Sequence, residues 1–491
     1  MVIGTGDKGK ANVKGKKAKG AAKGKAKAKG KAEGEAERKD YKGKGKEQPQ
    51  LCPRLPNSSV PEGPLKAING EGETIEHSLE FPLDLDATSQ RRLYTQYGLV
   101  GRGTTVIPVK VVGGQVTATA LRLEGDTPLV AKLAWQHVDR HKEDAFIRQI
   151  RQALNIKEDP QSQSMLKHVV NMLCSLSLPM HSSYVHLPRA FMNLLPDIDP
   201  ADLREFRLLI LEGYKPLSNI ATADDFKKVF RETFQAHYWI WTKANILHRD
   251  ISVNNIMFRI RGNSVEGVLC DWDLSATKAE LGVPTPVNAK IEDKEAETAD
   301  ARGTESQHPS ALKPSQLKDE EARPRQKPRY RTGTGPFMAL ELLKCWNGMT
   351  PVHEYTFDVQ SFLYVMCWMC AAHDPETKTI GVIPQWLNKR FADTYTAKVN
   401  FLDQKVEREA VFRKAHSSYR PLIDSWVKKL VPMFSDAHEI WYSSCKLRDN
   451  LATAIEDDDE DLVESLRRRL ETKAKELEGM ITYEKFLAIL V

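Results

Sequence analysis

From Thr356 to Ala371 the chain reads "TFDVQSFLYVMCWMCA", a helix-length run that is apolar on nearly every face. Such a helix has to be buried all round, so the second half of the chain must supply a body that surrounds it. The uninterrupted part, Ser361 to Ala372, is too short to span a bilayer. Cys367 and Cys370 form a CxxC inside it, but no second pair of ligands lies nearby, so they read as helix core rather than a metal site. Asp224 to Asn245 carries apolar residues at 226, 229, 230, 234, 238 and 241, the spacing of an amphipathic helix. The C-terminal "LVESLRRRLETKAKELEGMITYEKFLAIL" reads as another amphipathic helix followed by a short packed one.

The first half has a different pattern. "YTQYGLVGRGTTVIPVKVV", "VTATALRL", "PLVAKLAWQ" and "EFRLLILEGY" are apolar, largely β-branched runs punctuated by glycine, the mark of consecutive antiparallel strands. Helices are expected at Lys142 to Leu154 and near Ser162 to Leu176. The fold class is therefore α+β: a strand-rich portion at 88–215 precedes a larger helical portion at 216–491, with 51–87 as an N-terminal extension.

Two segments stand outside this scheme. Residues 1–46 hold fifteen Lys and one Arg against five acids, a net of +11, so the remainder carries −5 of the chain's +6. With almost nothing to bury, residues 1–50 are expected to form a disordered Lys/Gly/Ala-rich tail. Its readings are a solvated tail, or contact with an acidic partner, an import receptor or nucleic acid. Residues 279–330, rich in Pro, Lys, Glu, Asp and Ser, read as a disordered insertion. Seven scattered cysteines and a start without an apolar signal region fit an intracellular protein, cytoplasmic or nuclear, with no membrane association.

Between the two halves lies "LHRDISVNNIMF", residues 247–258, dense in polar groups. Asp250 could accept or orient a hydroxyl proton, and Asn255 could hold a divalent cation through its amide oxygen. Upstream, "GRGTTV" places Gly101 and Gly103 between strands, which fits a tight hairpin or a backbone approach to phosphate. Lys132, mid-strand in "VAKLAW", is either a solvent-facing edge lysine or a buried charge aimed at phosphate. If buried, it needs a carboxylate; Glu143 is the nearest good candidate and Asp144 its neighbour. Downstream, Asp271 in "LCDWD" ends an apolar strand; beside Asn255 it would make an all-oxygen pair suited to Mg²⁺.

The order glycine loop, strand lysine, helix glutamate, HRD with a later Asn, then Asp is that of the protein kinases. "ILHRDISVNNIM", "DWDLSA", "RTGTGPFMALELL", "EGYKPL" and "TYEKFLAIL" resemble the fungal-type protein kinase family over roughly residues 90–490. The resemblance implies a bilobal protein-kinase-like fold and ATP- and Mg²⁺-dependent phosphorylation of protein Ser/Thr hydroxyls. It gives Gly101 and Gly103 the ATP phosphates, and Lys132 the α/β-phosphates together with Glu143. Asp250 becomes the base, Asn255 and Asp271 the Mg²⁺ ligands, and Thr334 a brace for the catalytic loop. His248 and Glu341 match structural positions of the pattern. Asp358 matches the aspartate that anchors the loop from below, a role compatible with a helix N-cap. Arg249 implies a phosphate-sensing pocket, with Thr332, Ser275 and Thr277 as candidate phosphosites or ordinary loop hydroxyls.

Departures from the pattern define two alternatives. Ser252 stands where Ser/Thr kinases place a lysine, and Asp273 where they place a glycine. Leu340 replaces a proline, and 70 residues separate Asp271 from Glu341. A D-x-acid pattern also resembles the aminoglycoside and choline kinase type of small-molecule phosphotransferase. The third reading is a pseudokinase, a binding module that has lost catalysis.

Overall fold

The largely apolar "LVAKLAWQH" forms one of the two nine-residue strands of an antiparallel sheet. The computed structural model describes residues 67–75, 94–95, 103–109, 127–137, 140–178, 204–281, 285–286, 333–344, 346 and 349–490. All of them fall within the unit 58–491. The Lys-rich tail, Gly101, Thr332 and most of 279–330 lie outside the described residues.

The sheet comprises β1 (Ala67–Asn69), β2 (Thr74–Ile75), β3 (Tyr94–Thr95), β4 (Thr105–Val109), β5 (Leu129–His137), β6 (Met172–Leu178) and β7 (Arg204–Glu212). Its spatial order is β2-β1-β6-β7-β5-β4-β3. β5 lies between β4 and β7, and Lys132 pairs with Val106 on one side and Leu209 on the other. On one face of β5, Leu129 and Ala131 join Val109, Leu173, Cys174 and Ile210 in an apolar cluster. Residues of the other parity, Lys132, Ala134 and Gln136, are also buried, so β5 is covered on both faces.

The helix expected at 142–154 is present as Glu143–Leu154. The one expected near 162–176 is not. A short helix at Pro160–Ser164 and a 3₁₀ turn at Met165–His168 lead instead into β6. Met and Leu favour helices in isolation, but "MLCSLSL" pairs with β7 on one side and β1 on the other, and burial on both faces overrides the local preference.

The second half is helical. Tyr355–Ala372 is buried along almost its whole length, as its composition requires. Around it lie Ala223–Ala244, Phe391–Asp403, Lys428–Glu456 and Tyr483–Ile489, which join it in one apolar core through Phe230, Phe234, Phe401, Phe434 and Phe486. Cys367 and Cys370 belong to that core, fully buried. Glu460–Glu478 packs back on Lys428–Glu456 through Leu447, Leu451, Val463, Leu466 and Leu470. No helix among the described residues is long and apolar enough to cross a membrane. At the start of the expected insertion, Glu280 closes a turn onto Thr277, and Thr285–Pro286 pairs with Met349–Thr350.

Candidate active site

The helix Ala223–Ala244 delivers the chain into the polar loop. Thr222 caps its start by accepting a hydrogen bond from the Asp225 amide (3.0 Å). Asn245 ends it in the left-handed conformation, φ 55°. The next two residues, Ile246–Leu247, pair with Ala276–Thr277, so the loop's entry is zipped to the segment that follows Asp271. The loop's centre hangs on Asp358, whose carboxylate accepts from the backbone amides of His248 (2.9 Å) and Arg249 (3.1 Å). His237 and His353 donate to the same carboxylate at 2.8 and 3.1 Å. Burial alone would raise the Asp358 pKa; the histidine hydrogen bonds hold it well below the usual carboxylate range. The amide of Asp250 can only donate, so His248 Nδ1 accepts from it (3.3 Å) and Nε2 carries the proton donated to the Cys270 carbonyl (2.9 Å). Burial lowers the His248 pKa against the pull of Asp358 and Asp250, in keeping with that neutral ring.

Asp250 is held from two directions. Thr334 gives its backbone N–H and its hydroxyl to Oδ1, both at 2.8 Å, and Asn255 Nδ2 donates to Oδ2 at 3.0 Å. Gly333, at φ 125°, makes the Thr334 approach possible, because that backbone strains any other residue. With its NH₂ group turned to Asp250, the Asn255 amide oxygen points away as an acceptor.

From the sheet side comes Lys132. Its ammonium meets both Glu143 oxygens, at 2.9 and 2.7 Å, and Asp271 Oδ1 at 2.6 Å. Burial works against its charge, but Asp271 and Glu143 outweigh it and raise the pKa above that of an ordinary lysine. Burial pushes Glu143 up to about 7 even with Lys132 beside it, because Asp271 and Asp273 crowd the same region with negative charge. Asp144 faces away, to Arg148 and Ser175, both at 2.8 Å. Glu143 is therefore the partner of Lys132. Two carboxylates around one ammonium, with the Asn255 amide oxygen left as an acceptor on the neighbouring loop, are oxygen donors of the kind that suits a hard divalent cation. No three His, Cys, Asp or Glu side chains converge as a metal cage among the described residues, so such a cation would complete its shell with phosphate and water oxygens.

The family model for the fungal protein kinases matches residues 85–284 and 304–370, more than half of the chain. The chain belongs to the fungal protein kinase family. It is thus a phosphotransferase of the kinase type. The structure of the Cydia pomonella granulovirus kinase PK-1 is similar at 11% identity, covering 62% of this chain and 93% of that one, with a TM-score of 0.29. A superposition that loose says nothing further about the site. No curated protein matches the chain in sequence.

In this fungal protein kinase two residues depart from the sequence reading, Asp358 and Ser275, and the others singled out take the places given after them. Asp358 is not a helix N-cap: it sits in the first turn of Tyr355–Ala372, whose cap position is Glu354, and its carboxylate serves the loop. Ser275 is buried, its hydroxyl 3.5 Å from the His248 carbonyl, which removes it as an accessible phosphosite. The Thr277 hydroxyl donates to Glu280 at 2.9 Å. Ser252 is buried, and its carbonyl accepts from the amides of Asn255 and Ile256, both at 3.1 Å. Gly103 adopts φ 54° in the turn before β4. Glu341 is buried and accepts from Gln360 Nε2 at 3.2 Å; burial pushes its pKa up to about 7. Arg249, at φ 66°, is half-buried, and burial lowers its guanidinium pKa to about 10 despite Asp358, with Arg140 and Glu280 nearby. Sequence reasoning missed Gln136, His237 and His353. Gln136 alone left a signal, since it shares the parity of Lys132 on β5.

Proposed function

We propose that the chain transfers the γ-phosphoryl group of ATP, with Mg²⁺, to serine or threonine hydroxyls of proteins. The observation that supports this reading is a pair of preorganised groups whose backbones are joined where the Cys270 amide donates to the Asn255 carbonyl at 2.9 Å. Lys132, fixed by Glu143, contacts Asp271 from the sheet side, while Asp250 is braced by Asn255 and Thr334 from the helical side. Phosphoryl transfer asks the protein mainly for positioning and for charge where the migrating group gains it. Lys132 would hold phosphate oxygens. Asp271 and Asn255 would hold Mg²⁺, which when bound neutralises phosphate charge. Asp250, oriented by Thr334, would take the proton of the acceptor hydroxyl. Arg249 with Arg140 would sense a phosphorylated segment.

The test is γ-phosphate transfer from Mg-ATP by the purified full chain, beside an Asp250→Ala control. Acceptors are the chain itself, a generic basic protein, and a set of amino sugars and choline. The proposal expects label on protein serine or threonine that the control lacks. Label on small molecules alone would move the chain to the aminoglycoside and choline kinase type of reaction. Silence on every acceptor, with nucleotide still bound, would make it a pseudokinase.

A further inference from the structure

Asp273 makes a contact that the phosphotransfer reading leaves unused. Asp273 is 3% exposed, and its Oδ1 accepts a hydrogen bond from Nε2 of Gln136, which is 1% exposed. Gln136 follows Lys132 by four residues on β5, so the two side chains leave the same face of the strand. β7 pairs with both positions, Lys132 with Leu209 and Gln136 with Glu205, so they sit on one continuous stretch of ladder. Two rungs therefore join this strand to one short segment: Lys132 to Asp271, and Gln136 to Asp273. Trp272 lies between the two aspartates in sequence and joins the main apolar core. It is fully buried, its ring lies 4.6 Å from that of His248, and its amide donates to Glu143 Oε1 at 3.2 Å.

The segment needs such support. Asp271 is at φ 64°, a conformation that a non-glycine residue keeps only where its surroundings impose it. A single rung at Asp271 would leave the peptide free to turn about that contact; a second rung two residues on removes the freedom. The arrangement has a cost. A buried carboxylate is expensive, and the Gln136 side-chain oxygen Oε1 is buried with no hydrogen-bond partner among the described residues.

We propose that Gln136 and Asp273 form a positioning pair that locks the Asp271 segment onto β5, holding the Asp271 carboxylate against Lys132 before nucleotide arrives. Asp273 acts through its hydrogen bond and not as a ligand of the cation. The proposal rests on the reading of Asp271 as the cation-binding residue, but the lock itself is measurable without turnover.

Hydrogen exchange over residues 270–276 in the full chain, free of metal and nucleotide, reads the lock directly. Gln136→Ala and Asp273→Ala should each speed exchange there about tenfold, the scale of one buried hydrogen bond. The Tyr355–Ala372 helix should stay as protected as in the wild type. Asp273→Asn keeps an acceptor oxygen and should exchange like the wild type. The Gln136→Ala/Asp273→Ala double variant should be no worse than either single one. In transfer assays the single alanine variants should raise the half-saturating Mg²⁺ concentration about tenfold, while kcat at saturating Mg²⁺ stays within about threefold. Unchanged exchange in the Gln136→Ala chain would overturn the lock, even if Asp273→Ala fails to fold. Asp273→Asn with wild-type exchange but Mg²⁺ dependence as poor as Asp273→Ala would overturn it too, making Asp273 a charged ligand. A chain without any transfer would fail the functional reading alone, since the exchange comparison still decides the lock.

Discussion

Asp250 owes its orientation to two residues far apart in the chain, one five residues on and one 84 residues on. The Thr334 hydroxyl is the more telling of them, because it donates to the same oxygen as its own amide and so fixes which face of the carboxylate remains for an acceptor. Thr334→Ala should lower kcat roughly 10- to 100-fold, the range for one preorganised donor, with nucleotide affinity unchanged. Thr334→Ser, which keeps the hydroxyl, should stay near the wild type. Equal loss in both variants, measured by steady-state transfer, would show that the methyl packing and not the hydroxyl matters. At this scale the sequence was legible wherever a polar residue interrupted an apolar run, as at Lys132, Asp271 and Asn255. It was silent on His237 and His353: their carboxylate partner lies 121 residues away from the first, and nothing local marks either ring as its donor.

Residues 338–343 are held to the central helix and to Phe391–Asp403 by buried polar contacts. The Leu340 amide donates to Gln360 Oε1 at 2.5 Å, Gln360 Nε2 donates to Glu341, and Lys398, fully buried, donates to the Met338 carbonyl at 2.7 Å. Glu341 has its pKa raised to about 7 from an ordinary 4.5, chiefly by burial. A raised carboxyl pKa means that the folded state keeps a proton the unfolded state has lost. Its stabilising contribution is complete below about pH 4.5 and is lost as pH rises through about 7. Glu341→Gln, which cannot ionise, should therefore gain stability relative to the wild type between pH 5 and pH 8, read from urea midpoints at each pH. A difference that stays constant over this interval would place the charge of Glu341 in balance with a cation at neutral pH. Ala223–Ala244, through its amphipathic period, and Tyr355–Ala372, through a helix-length run apolar on nearly every face, were legible to within a residue or two. β6 was not, because "MLCSLSL" is a strand only by virtue of the strands on either side of it.

Across the whole molecule, the catalytic reading depends on groups carried by parts with different construction. β5 supplies Lys132 and Gln136, the hairpin Ile256–Arg261 with Ser264–Leu269 leads into Asp271, and the central helix holds the loop bearing Asp250 through Asp358. The order of these groups along the chain was readable, since each stands in a short local pattern. Their convergence was not, since it is set by the pairing of β5 with β7 and by a buried aspartate that serves backbone amides 109 and 110 residues away. The decisive measurement is nucleotide affinity against Mg²⁺ concentration, with single-turnover transfer, for the wild type and Asp271→Asn. If Asp271 holds the cation, the wild type binds ATP more tightly as Mg²⁺ rises. Asp271→Asn then loses that dependence together with roughly 100-fold or more in transfer rate. An Asp271→Asn chain that binds nucleotide with undiminished Mg²⁺ dependence and transfers phosphate at the wild-type rate would contradict the catalytic role of this site.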